Sequence, residues 1–504
     1  MLKRCFNKTV LELFYANLNI ICLKCQRLYS KKDFTMLKTK KNFTEGPLFF
    51  RMLLFALPIM MTGVLQIVYS MADNIVVGQF SGDPYALAAV GSTSSLTNLV
   101  LNTLLGISAG TGVVIAQYYG AKEYSFVNET VHTSLTFSAI GGVVVALLGL
   151  AISEPVLMLM GTKSEVMAGA VLYFRIICIG IPASSIYNFG ASILRSIGNS
   201  KIPLVILASS GMVNVLLNLF FVIVCRMSVA GVAVATITSQ YLSAAAVLLV
   251  LYFKRSECYG FTPKCLRIHK RHLMRMLRYG IPAGVQSCMF SLSNVFITSA
   301  VNSFSTPDPV TANTIANNID AISFTVMNAF SQAAMTFSGQ NYGAGKRRRI
   351  NKVLIYALIQ IMLVGTLITQ LQLYFGETLA GFYMSPDLEN RESVMAITLD
   401  IIGLLLNTYF ICGLLDVVGG SLRGIGYSLS PMIVNIVGIC GVRILYIFLL
   451  FPLEALHTPV GLMYCYPISW TLSLIAMAVI RIVAGVKLRR VMPDDVPSTD
   501  TEAV

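Results

Sequence analysis

An aspartate inside a long apolar run is the part of this sequence most able to do chemistry. Asp73 sits in L-Q-I-V-Y-S-M-A-D-N-I-V-V-G, and a carboxylate carried into hydrocarbon costs roughly 2.5 kcal/mol or more, so each such acid is a functional candidate. With a helical span over 50–78, it lies about 6 Å below the outer end at ~1.5 Å per residue. At similar depth another apolar run carries Asn214 and Asn218, one turn apart on one face. A third carries Thr236. A carboxylate, two amides and a hydroxyl at one level suit a hard cation, or a proton held on the carboxylate. Interhelical hydrogen-bond glue is the alternative use of such residues.

Further along, Asp320 follows Asn317 and Asn318, about 18 Å from the outer face by helical rise. With Gln286 these residues are expected to line a central cavity that receives a cationic substrate. Asp416 lies toward the inner end of its run, near Arg423; it joins that cavity, or forms an ion pair or an exposed terminus. Arg195 and Arg423 fall in the turns L-R-S-I-G and L-R-G-I-G and read as topology anchors.

No catalytic pattern accompanies these residues. The sequence lacks H-E-x-x-H, G-x-S-x-G and a Walker lysine motif, so neither hydrolysis nor ATP-driven pumping is indicated. A membrane-embedded enzyme would need a His, Cys or acid constellation that is not visible. His132, His269, His272 and His457 fall at or near the ends of apolar runs and are expected to be solvated. Of the 11 cysteines, many lie inside those runs, such as Cys178, Cys225, Cys288, Cys412 and Cys440, where a thiol acts as a small hydrophobe. Cys22 and Cys25 form a lone C-x-x-C, which without a second pair does not make a metal site. No catalytic residue, metal or cofactor is expected.

The elements that must position these residues follow from composition. Of 504 residues 56% are hydrophobic and 12% charged, against roughly 25% charged in a soluble domain. A bilayer is therefore the solvent for most of the chain. Runs long enough to cross ~30 Å of hydrocarbon fall near 50–78, 85–117, 127–152, 166–190, 201–225, 229–253, 274–302, 309–339, 350–375, 393–419, 429–451 and 460–486. They are continuous apolar stretches, not ten-residue alternations, which predicts an all-α polytopic membrane protein with twelve transmembrane helices.

The chain is also written twice. Residues 58–122 recur as 282–346: Pro58 maps to Pro282 at an offset of 224 and Gln117 to Gln340 at 223. Two pseudo-symmetric six-helix bundles with a shared cleft follow. The expected organisation is a basic leader (1–45), an N-lobe (46–253), a linker (254–273), a C-lobe (274–490) and a tail (491–504). Met36 is a second candidate start. Pro58 and Pro282 hold matching places inside spans, where a proline removes a hydrogen bond and either makes a hinge or packs passively.

Charge sets the expected orientation. Lys and Arg crowd the leader, the linker and the tail, whereas the opposite loops G-Q-F-S-G-D-P, N-S-F-S-T-P-D-P and F-P-L-E-A-L-H have neither. Both termini and the linker are then cytoplasmic. The net charge of +14 is a topology signal and an attraction to anionic lipid, not a nucleic-acid surface.

The runs L-P-I-M-M-T-G-V-L-Q-I-V-Y-S-M-A-D-N-I-V-V-G, A-L-A-A-V-G and A-Q-Y-Y-G-A, echoed by F-S-G-Q-N-Y-G-A-G-K and L-R-G-I-G-Y-S, resemble the multidrug and toxic compound extrusion (MATE) transporters over about residues 45–490. The resemblance implies a V-shaped pair of six-helix lobes in the inner membrane. It also implies efflux of organic cations or amphiphiles driven by inward H+ or Na+. On the family pattern Asp73 matches the ion-coupling acid of the first helix, Pro58 its bending point, and Asn214 and Thr236 members of an N-lobe cation site. Asn218 stands where DinF-like members carry a second Asp. Phe290 and Cys412 stand where NorM-like members carry acids, so a DinF-like or related bacterial branch fits better. A monomer is expected, with a lipid-linked precursor flippase as the alternative function.

Overall fold

The computed structural model describes residues 43–81, 85–384 and 390–492. The Cys22–Cys25 pair, Met36, the leader up to residue 42, residues 82–84 of the first turn and the tail beyond 492 lie outside the described residues. Among those described there is no strand; the chain is a succession of long helices. The N-lobe holds α1 (Phe49–Phe80), α2 (Ala86–Gly120), α3 (Tyr124–Leu159), α4 (Ser164–Ser196), α5 (Lys201–Val224) and α6 (Ser228–Phe253). The C-lobe holds α7 (Lys270–Val301), α8 (Asp308–Gly343), α9 (Arg347–Tyr374), α10 (Arg391–Gly424), α11 (Leu429–Leu449) and α12 (Pro459–Val491).

Ten of the twelve have the length and apolar composition of a membrane span; α7 and α8 have the length but are more polar. Their position explains this. Both pack on α2 of the other lobe, and Asn294, Asn317 and Asn318 are exposed on them, as Asn98 and Asn102 are on α2. Amides are not kept against lipid, so these surfaces line a wet cleft.

Packing repeats with the sequence. In the N-lobe α4 packs on α2, α3 and α6, and α1 on α5; in the C-lobe α10 packs on α8, α9 and α12, and α7 on α11. The lobes meet through α2 with α7, α1 with α8, and α2 with α8. Where α2 crosses α7, Gly106 and Gly110 face Gly280 and Gly284. This small-xxx-small pairing on both partners lets backbones touch.

At the linker end of α2 and α8 the two copies of the repeated motif bind each other. A Cβ on Gly120 would fall on the Gln340 carbonyl, and one on Gly343 on the Gln117 carbonyl. Gln117 Nε2 donates to Gly424 O at 2.9 Å, and Gln340 Nε2 donates to Ser196 O at 2.7 Å. Each lobe's glutamine thus satisfies a helix-terminal carbonyl of the other lobe's L-R-x-I-G turn, where an orphan acceptor would otherwise remain. Phe43 adds a cross-lobe plug: its ring stacks on Phe337 at 3.8 Å and its N–H donates to Gln340 Oε1 at 3.1 Å. From mid-helix outward the described cross-lobe hydrogen bonds are two weak ones to sulfur, between Thr103 Oγ1 and Cys288 Sγ at 3.0 Å and from Tyr383 Oη to Met71 Sδ at 3.6 Å. The lobes are fastened on the linker side.

The linker is itself tied down, which corrects the expectation of solvated histidines for two of the four, while His457 is exposed and His269 half-buried. His132 and His272 are buried. Thr262 N–H donates to His132 Nε2 at 3.1 Å, so Nδ1 carries the proton and donates to Asn128 O at 2.9 Å. His272 Nε2 meets Glu129 Oε2 at 2.9 Å. Short polar loops leave backbone groups that need partners, and these side chains supply them.

Candidate functional site

The N-lobe acid is held by the docking of α1 on α5. Tyr69, one turn before Asp73, lies over Gly211, where a Cβ would overlap its ring, and Tyr69 Oη donates to Ala208 O at 3.1 Å. Gly211, Asn214 and Asn218 recur at three and four residues and so face α1 together. Immediately beyond Asn218 the helix widens into a π-turn over Phe220–Val224, a distortion common beside functional residues.

The four residues expected at one level do come together. Asn218 Nδ2 donates to Asp73 Oδ1 and, at 3.4 Å, to Asn214 Oδ1. Asn214 Nδ2 donates to Thr236 Oγ1 of α6 at 3.5 Å. Asn218 and Asn214 are 0% and 4% exposed, while Asp73 is half-buried with Tyr173 of α4 within electrostatic reach. Asn218 Oδ1 is buried without a donor. A carboxylate beside an orphaned amide oxygen lacks positive partners, and a bound cation or a carboxyl proton supplies one. Among the described residues no three His, Cys, Asp or Glu side chains gather as a metal site.

The C-lobe residues are spread over different surroundings. Asn317 and Asn318 are exposed on α8, Asn318 Nδ2 donating to Thr314 O at 3.0 Å. Asp320 turns instead into the lobe, toward Tyr409 of α10 and Arg443 of α11, with Oδ1 buried and unpartnered. Gln286 and Asp416 gather around Arg423: Arg423 Nη1 donates to Gln286 Oε1 at 3.3 Å, and Asp416 interacts with it electrostatically. Pro58 and Pro282 are buried in unbroken helices, and Thr62 Oγ1 donates to the Pro58 carbonyl at 2.7 Å.

Two groups of polar residues stand apart from the sequence reading. Arg443, inside an apolar run, is 0% exposed. Its guanidinium lies 4.0 Å from the Tyr466 ring centroid, Nε donates to Ser469 Oγ at 3.2 Å, and Nη1 and Nη2 have no partner. A charged residue in a predicted span was the available signal. Arg195 and Arg423, read as anchors at the surface, reach inward: Arg195 Nη1 donates to Gln332 Oε1 of α8 at 3.0 Å, and Arg423 Nη2 to Ser331 Oγ at 3.3 Å. The helix ends that carry them stop short of the ends of α2 and α8, which leaves both heads inside.

A family model described as MatE matches residues 58–220 and again 282–449, one stretch in each lobe. Among curated proteins the chain is similar to "Probable multidrug resistance protein YoeA" of Bacillus subtilis (strain 168), 28% identical over 433 residues that cover 84% of this chain and 91% of that protein. It is also similar to "Probable multidrug resistance protein YpnP" of the same organism, 30% identical over 314 residues, 61% of this chain and 68% of that one. A solved structure described as the "Outward-facing conformation of a multidrug resistance MATE family transporter of the MOP superfamily" superposes with a TM-score of 0.82 at 20% identity, covering 90% of this chain and 99% of that one.

Proposed function

Because the chain belongs to the MatE family, whose model matches both halves of the repeat, we propose that it is a multidrug efflux transporter. In this reading it exports amphiphilic small molecules, organic cations among them, in exchange for H+ or Na+. It is a multi-pass membrane transporter and not an enzyme. The observation that carries the coupling assignment is the chain of side chains Asp73, Asn218, Asn214 and Thr236, running through α1, α5 and α6 of one lobe.

The coupling works by differential affinity. An ion that binds the Asp73 cluster more tightly in one arrangement of the lobes shifts the equilibrium toward that arrangement, and only by that difference. Two lobes of like topology, fastened through paired glutamines and glycines on the linker side, support alternating access by rocking about the cleft. Pro58 and Pro282 are the proposed hinges, and α1 joins the coupling site to the lobe interface because it packs on both α5 and α8. The crowding of Lys and Arg in the linker, against far loops such as G-Q-F-S-G-D-P and F-P-L-E-A-L-H that hold neither, supports a cytoplasmic linker side in an inner-membrane protein.

The test is reconstitution of the purified chain into liposomes preloaded with ethidium or, separately, carboxyfluorescein. Inward H+ and Na+ gradients are imposed one at a time. Accelerated dye release under one gradient, abolished by collapsing it, supports the reading; release indifferent to both gradients for both dyes contradicts it.

A further inference from the structure

The repeat places one arginine from each lobe against the same turn of α8. Arg195, from the N-lobe, reaches Gln332, and Arg423, from the C-lobe, reaches the adjacent Ser331 and also Gln286 of α7. Gln332 lies 11 residues before the linker-side end of α8 and Gln286 16 residues after the start of α7, so at ~1.5 Å per residue the two heads sit about 16 to 24 Å above those ends. The glutamine and glycine fastening at Gln117, Gln340, Gly120 and Gly343 lies at the linker end. Both arginines are half-buried.

The chemistry around them is not that of anchoring. Arg349, a structural arginine of this chain, donates to the backbone carbonyls of Phe43 and Gly46 at 3.2 and 2.6 Å. Arg195 and Arg423 have instead the neutral side chains Gln332, Gln286 and Ser331. No carboxylate oxygen lies within 4.0 Å of either guanidinium among the described residues. Arg195 Nε is buried without an acceptor. Asp416 interacts with Arg423 across a longer gap, so two guanidinium groups share one carboxyl group. A guanidinium held in place but not neutralised, with a free edge, is arranged to take a planar two-oxygen anion.

We propose that Arg195 and Arg423 form an anion subsite shared by the two lobes, which binds the carboxylate, sulfonate or phosphate of an amphiphilic substrate while its apolar body lies higher in the cleft. This names the substrate class of the transport reading and rests on that reading only for the route. Binding itself is measured at equilibrium, without any gradient, so failure of one does not imply failure of the other.

The experiment titrates the purified full chain in detergent with carboxyfluorescein, an aromatic anion, and with ethidium, an aromatic cation of similar size, following fluorescence anisotropy. Arg195→Gln and Arg423→Gln each weaken carboxyfluorescein binding about tenfold or more, the scale of one charge-assisted hydrogen bond, and leave ethidium unchanged or tighter. Gln332→Glu keeps Arg195 and its packing but neutralises it; this variant weakens the anion alike, which separates the subsite from a folding defect. Arg195→Lys retains an intermediate affinity because it keeps the charge and loses the fork. Absence of carboxyfluorescein binding to the unaltered chain, or binding that neither arginine nor Gln332→Glu moves, overturns the proposal.

Discussion

Substituting Gly110 by alanine tests the contact on which the two-lobe frame rests. The added Cβ would stand 2.4 Å from both the Gly280 nitrogen and the Met276 carbonyl oxygen, where ordinary contact begins at 3.4 Å. Both neighbours are backbone, so no side chain can turn aside, and α2 and α7 must separate by about 1 Å. Overpacking of this kind costs about 1–3 kcal/mol. It is offset by the better helix propensity of alanine over glycine, about 1 kcal/mol. Gly91 on the same helix supplies the control, since a Cβ there meets nothing within 4 Å and Gly91→Ala collects the propensity gain alone. The propensity contribution is common to both, so the two variants differ by the overpacking cost, about 1–3 kcal/mol. Thermal unfolding of the purified full chain in one detergent reads the difference: Gly110→Ala melts below Gly91→Ala. Equal or higher melting of Gly110→Ala would refute the close crossing of α2 and α7.

Two further substitutions probe buried polar groups away from the cleft. His132→Ala removes the acceptor of Thr262 N–H and the donor to Asn128 O, loosening the linker by about 1–3 kcal/mol; trypsin should then cut at Lys264 or Arg267 faster, and an unchanged cleavage rate would count against the tether. Arg443→Met removes the positive charge that interacts electrostatically with Asp320, whose Oδ1 is buried without a partner, and the melting temperature should fall. Adding Asp320→Asn should restore much of the lost melting temperature, and a double variant no more stable than the single one would show the two groups to be uncoupled.

What could be read in advance follows from where physics constrains sequence. Asp73 stood out because a carboxylate in an apolar run is costly, and depth along successive spans was enough to gather Asn214, Asn218 and Thr236 beside it. The repeated Q-x-Y-G and L-R-x-I-G motifs announced two bundles. That Gln117 and Gln340 cap each other's arginine turns was not legible, because contacts between residues 307 apart in one case and 144 in the other leave no local pattern. The same motifs hid the arginines: a basic residue at a span end satisfies the positive-inside rule whether its head points out to water or in to Gln332. His132 was misread for a related reason, since its burial depends on the linker folding back over α3. Asp320 and Asn317 lie three residues apart, yet one turns into the lobe and the other to the cleft, a distinction that needs the neighbouring helices.

The central claim, that ion binding at Asp73 drives export, is tested most directly by Asp73→Asn in dye-loaded liposomes under an inward H+ or Na+ gradient. An asparagine oxygen can still accept from Asn218 Nδ2, so the lobe keeps its hydrogen bond while losing the charge. The expected variant is an inserted, normally melting protein whose gradient-driven dye release falls to the rate seen without a gradient. Undiminished gradient-driven release by Asp73→Asn would contradict it.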